Sequence, residues 1–181
     1  MAGSARLRRH AILPPRTQRV IMETLRIPKR AVEVRLLLEG GESLEGSLYV
    51  PPTGPYGGPG RLIDRLNDEE EAFMPLVSQG SHTHLVSKTR ILTLEIAAGQ
   101  EDLEPIDTFA SRELLVTIEA VGGLTLTGRL VFVMPPGQRR TLDFLNAAPP
   151  FISLADEDKT TLIRRSGIVS VREQEESPRG D

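Results

Sequence analysis

The chain repeats itself, and this constrains its fold more than any other feature. Residues 32–52 read VEVRLLLEGGESLEGSLYVPP, and residues 114–136 read LLVTIEAVGGLTLTGRLVFVMPP. Gly41, Leu44, Gly46 and Leu48 recur as Gly123, Leu126, Gly128 and Leu130 at a fixed offset of 82. RLIDRLN (Arg61 to Asn67) then matches RTLDFLN (Arg140 to Asn146) at 79, FMPL at Phe73 matches FISL at Phe151 at 78, and KTRILTL at Lys88 matches RSGIVSV at Arg165 at 77. Four blocks in one order with a slowly drifting offset mark a duplication, and such periods are sought before any other signal. The 181 residues divide into a basic arm (1–29), a first copy (30–98), a linker (99–111), a second copy (112–173) and a short polar tail (174–181). Each copy is close to the lower size limit for an independent core.

Within a copy the hydrophobic period is two. Val32, Val34, Leu36 and Leu38 alternate with more polar neighbours, as do Leu114, Val116, Ile118 and Ala120; this is the pattern of a half-buried strand. Gly40-Gly41 and Gly122-Gly123 suit hairpin turns, where glycine supplies positive φ. The next strand sets Leu44, Gly46, Leu48 and Val50 on one face, matched by Leu126, Gly128, Leu130 and Phe132. A glycine at the same inward position in both copies predicts a bend or a close backbone approach. Pro51-Pro52 and Pro135-Pro136 end these strands, and a GPYGGPG insertion follows in the first copy. The Asp-x-Leu-Asn blocks are expected to form one helical turn each, anchored by Leu62 and Leu66 in one copy and by Leu142 and Leu145 in the other. Three further short strands are expected near 73–78, 82–88 and 90–96, with equivalents near 151–155, 159–165 and 167–172. Phe73 and Phe151 are expected in the core, as are Leu36, Leu48 and Leu94 with their counterparts Ile118, Leu130 and Val171. Five strands and a turn per copy make a small-barrel count.

The GxxLxGxL segments at Gly41–Leu48 and Gly123–Leu130, the Leu-Asn pairs at 66–67 and 145–146, and LIRRSGIVSV at Leu162–Val171 resemble the Sm-like (Lsm) family. The resemblance implies an all-β fold: two tandem five-stranded SH3/Sm-like small barrels with a short helical turn in each and a flexible basic arm in front. It also implies a nucleic-acid pocket formed by the loop Asn and the Arg-Gly loop, which by position are Asn67 with Arg90 and Asn146 with Arg165. The sequence departs from the family: Asp64 and Asp143 stand three residues before their Asn rather than four, and the Arg-Gly pair becomes Lys88-Thr89-Arg90 and Arg165-Ser166-Gly167.

The repeated Asp-x-Leu-Asn has two readings from the residues alone. Asn can read a base edge, and Asp and Asn are also turn and cap residues that bond nearby backbone. His82 and His84 share one strand face, but no third metal ligand accompanies them, and no metal site is expected. Asp68-Glu69-Glu70-Glu71 lacks calcium-ligand spacing and reads as a solvated run. With no cysteine, thiol chemistry and cysteine–zinc sites are excluded. No phosphate-binding, nucleophile-elbow or metalloprotease motif occurs, so no enzyme activity and no cofactor are expected.

Charge is unevenly placed. Residues 1–30 carry eight basic side chains against Glu23 alone, a net +7; the chain as a whole is −3, leaving −10 on residues 31–181. The arm can grip phosphates by charge, dock on the acidic body, or dock on a partner. It lacks an aromatic for base stacking and is expected to be extended or disordered, with Met22 an alternative start. It carries no long apolar run, so no secretory signal is read, and a bacterial cytoplasm is the expected setting. The expected role is a non-enzymatic protein-binding or assembly module, because small barrels expose strand edges that pair with proteins. Sm-like RNA binding is the alternative, and association with a second copy of the chain is a further option. No membrane partner is expected.

Overall fold

A computed structural model describes residues 29–55, 57–80, 82–97, 111–133 and 140–174. Residues 1–28 of the basic arm, 99–110 of the linker and 175–181 of the tail therefore lie outside the described residues, as do Met22 and Pro135-Pro136. In the first copy β1 (Arg30–Leu38), β2 (Ser43–Val50), α1 (Leu62–Asn67), β3 (Phe73–Val77), β4 (Thr83–Ser87) and β5 (Ile91–Ala97) follow one another. In the second, β6 (Ser111–Ala120), β7 (Leu124–Val133), α2 (Thr141–Ala147), β8 (Phe151–Ala155), β9 (Lys159–Arg164) and β10 (Ile168–Glu173) do the same. A single 3₁₀ turn leads into each fifth strand, Lys88–Arg90 and Arg165–Gly167. Apart from one further 3₁₀ turn at Val121–Gly123 between β6 and β7, the order of elements is the same in the two copies, and the described part of the molecule is all-β apart from these short helical turns.

All ten strands belong to one antiparallel sheet, ordered β10-β6-β7-β8-β9-β5-β1-β2-β3-β4. Each copy contributes the same internal order, fifth-first-second-third-fourth. The copies are fused where β5 pairs with β9, with Leu94 opposite Leu162 and Ile96 opposite Thr160. The sheet does not close on itself, and β4 and β10 form its two ends.

Local chemistry explains the elements. Gly41 turns the β1–β2 hairpin at φ +83, and Gly122 and Gly123 turn β6 into β7 at φ +79, values that side-chain-bearing residues rarely adopt. The matched strand glycines mark close backbone approach. A methyl on Gly128 would sit 2.7 Å from the Ala155 carbonyl oxygen, and one on Gly46 would run into the Val77 carbonyl oxygen. Beside these glycines β2 and β7 reach their third strands, Ser47 pairing with Val77, and Arg129 and Leu130 with Ala155 and Leu154. Glycine at these positions lets the second strand serve two neighbours.

Two apolar clusters fill the structure, and each borrows from the other copy. Val32, Leu36, Leu48, Leu62, Met74 and Leu94 are joined in the first by Phe151 and Leu162 of the second copy. Val116, Ile118, Leu130, Phe132 and Ile152 are joined in the second by Leu92 of the first copy. Phe132 and Phe144 stack there at 4.4 Å.

Three core expectations are corrected. Phe73 is exposed although Phe151 is buried, because Phe151 lies at the fused junction while Phe73 lies beside an unpaired edge. Val171 is only half-buried, because β10 has a strand on one side alone. Leu142 is exposed; the helical turn faces its core with Thr141, the counterpart of Leu62, and Leu142 falls on the outer side with the register of Ile63.

Candidate interaction site at the sheet junction and its free counterparts

The junction is more than a strand pair. From the α1 side, Asn67 donates its Nδ2–H to the Phe151 carbonyl at 3.0 Å and accepts the Phe151 N–H at 2.8 Å. A side-chain amide therefore continues the hydrogen bonding of β8 where no strand lies. Arg164 donates its Nε–H to the Ile91 carbonyl at 2.9 Å and pairs with Glu39. Lys159 pairs with Glu95. Glu39 also accepts from Arg90 at 3.2 Å. The hydrogen bond from Arg164, reinforced by its charge and that of Arg90, holds the Glu39 carboxyl below its ordinary value.

The sequence-predicted pocket residues have definite places. Asn67 is committed to Phe151, and the guanidinium of Arg90 to Glu39. Arg165 donates to the carbonyls of Leu145 at 3.2 Å and Asn146 at 2.9 Å, so Asn146 and Arg165 are brought together through the Asn146 backbone while the Asn146 side chain is exposed. Asn67 and Arg165, from different copies, line a common hollow of about 400 Å³.

Sequence reasoning missed the role of Lys88. Its buried ammonium donates to the carbonyls of Arg65 and Asp68, both at 2.6 Å. Arg165 does the same for α2. The repeated basic residue therefore satisfies carbonyls that a helix end leaves without partners. Desolvation pushes the Lys88 ammonium below its ordinary 10.5, partly opposed by Asp68 and Glu71. The signal was present in the sequence, since Lys88 and Arg165 occupy the same repeat position.

A cleft of about 790 Å³ runs beside α1 and is lined by Arg61, Asp64, Arg65 and Glu71, with Pro149 and Ser153 from the second copy. Its charges answer one another: Arg61 binds Asp64 through two bonds, and Arg65 binds Glu71 at 2.9 Å and the Tyr49 carbonyl at 2.6 Å. Among the described residues no group of three or more metal-ligating side chains gathers, and no helix is long and apolar enough to cross a membrane.

The same junction surfaces occur a second time, with no described strand on them. At one end β4 presents Leu85, with Phe73 beside it on β3; at the other β10 presents Val169, and α2 presents Leu142. All four are exposed large apolar side chains. No described strand pairs the outer side of β4 or β10. Compared with protein-family models, curated proteins and solved structures, the chain matches none.

Proposed function

We propose that the chain is a non-enzymatic assembly module of the cytoplasm, built as two tandem Sm/SH3-like small barrels, and that it holds protein partners by strand addition at β4 and β10. One observation carries the reading: both ends of the sheet offer backbone groups that no described strand pairs, flanked by exposed large apolar side chains. Unpaired edges template added strands, with main-chain bonds supplying affinity and neighbouring side chains specificity. The net −10 on residues 31–181 opposes phosphate binding by the body. Asn67 and Arg165 are committed to internal backbone groups, which favours a protein partner over RNA.

The test is affinity capture. Immobilised full-length chain, and its Leu85→Asp and Val169→Asp forms, are exposed to extract of the source cells, and the eluates are assayed for protein and RNA. A protein retained in near-stoichiometric amount by the parent and released by an edge substitution is the expected result. Tight binding of a U-rich RNA oligomer with steep inverse salt dependence, lost in Asn146→Ala, would overturn the reading in favour of RNA.

A further inference from the structure

The junction has two halves, and the duplication makes each half twice. One half is β5 with α1; its repeat is β10 with α2. The other is β8 with β9; its repeat is β3 with β4. Used once, the junction buries its apolar residues, and the repeats leave theirs exposed. Leu162 is 0% exposed and Leu85 is 72%; Phe151 is 2% and Phe73 is 58%; Leu92 is 3% and Val169 is 67%. The polar clamp repeats too: Asn67 is bound to Phe151, and the exposed Asn146 holds the same place in α2. Even the backbone beside the clamp matches, with Arg165 N–H bonding the Pro150 carbonyl at 2.7 Å and Lys88 N–H the Ala72 carbonyl at 3.0 Å.

We infer that β10 of one chain pairs with β4 of a second copy in the register that β5 adopts on β9. This rests on the assembly reading above and names the partner. Transposing the β5–β9 register sets Val171 opposite Leu85 and Ser170 opposite Val86, and places the Asn146 amide on the Phe73 backbone. Because the two free halves differ, the association is head-to-tail. It gives a ring if the rotation per chain closes and a filament if it does not.

The intermolecular contact is weaker than the internal one. The Glu39–Arg164 and Glu95–Lys159 ion pairs become Val121 with Ser87 and Arg172 with His82. Leu92, which packs over Gly167, becomes the shorter Val169 over Arg90. Association is therefore reversible and concentration-dependent.

Sedimentation velocity of the full chain over a wide concentration range is the test. The parent is expected to grow in mass with concentration. Leu85→Asp and Val169→Asp, each at an exposed position, are expected to keep the parental melting profile and to sediment as monomers. Mixed, they are expected to form a 1:1 dimer and nothing larger, because each supplies the half that the other lacks. A parent that stays monomeric at the highest concentration overturns the inference, as do a mixture that stays monomeric while the parent associates and an oligomer that survives both substitutions. A full-length monomer that associates only after residues 1–28 are deleted assigns the edge to the chain's own arm instead. A monomeric parent that still captures a foreign protein, lost on Leu85→Asp, overturns this inference and leaves the assembly reading standing.

Discussion

The side chain of Asn67 pairs with the backbone of Phe151 as a strand would, donating at 3.0 Å and accepting at 2.8 Å across 84 residues of chain. One amide from the first copy thus completes the first residue of β8 in the second, and holds the copies together beyond what the β5–β9 ladder does. Asn67→Ala leaves two partly buried backbone groups without partners and is expected to lower unfolding stability by about 1–3 kcal/mol. Asn146→Ala, made in dilute monomer, is expected to change it by less than about 0.5 kcal/mol. Denaturant titration of the two variants side by side checks the difference. Equal costs would show that the Asn67 clamp contributes nothing.

Leu162 and Leu85 occupy one repeat position in two environments. Leu162→Ala is expected to cost about 2–5 kcal/mol, the usual range for a core leucine. Leu85→Ala, at an exposed edge, stays within about 0.5 kcal/mol in dilute monomer. Thermal melts at low concentration report both.

Gly46 and Gly128 are expected to reject any side chain. Alanine at either site forces β2 from β3, or β7 from β8, and overpacking of this kind costs roughly 1–3 kcal/mol. Urea midpoints of Gly46→Ala and Gly128→Ala are the measurement. Parental values for both would contradict the close approach.

Lys88 makes stability depend on alkaline pH. Its native pKa lies below the ordinary 10.5 because it is desolvated, so the unfolded chain holds this proton to higher pH. The Lys88 contribution is therefore constant at low pH and rises as pH climbs from the depressed native value towards 10.5. Lys88→Met is expected to abolish that rise and to leave the Arg65 and Asp68 carbonyls uncapped. Unfolding free energy against pH, parent beside variant, tests the sign.

Glu39 acts in the opposite range. Its carboxyl is held below 4.5 by Arg164 and Arg90, so its contribution is present above 4.5 and fades as pH falls through the native value. Because Arg164 belongs to β9 and Glu39 follows β1, acid is expected to loosen the junction first. Protection factors of β9 amides, corrected for the pH dependence of intrinsic exchange, are expected to fall at low pH in the parent and to be low already at neutral pH in Glu39→Gln.

The repeat, the period-two strands and the hairpin glycines were legible in the sequence because their causes are local. Gly46, whose cause is the distant Val77 carbonyl, was legible because Gly128 repeats it, whereas positive φ at Gly41 and alternating burial along β1 depend on neighbours a few residues away or on the strand's own geometry. The Asp-x-Leu-Asn turns were legible for the same reason. Their inward faces were not fully so, since Thr141 rather than Leu142 turns towards the core. Tertiary structure alone decided what two equal copies do with unequal surroundings. Nothing in FMPL and FISL distinguishes an exposed Phe73 from a buried Phe151. The difference arises because two copies joined head-to-tail make one junction from four half-surfaces, covering β5 and β9 and leaving the outer sides of β4 and β10 with no described strand beside them.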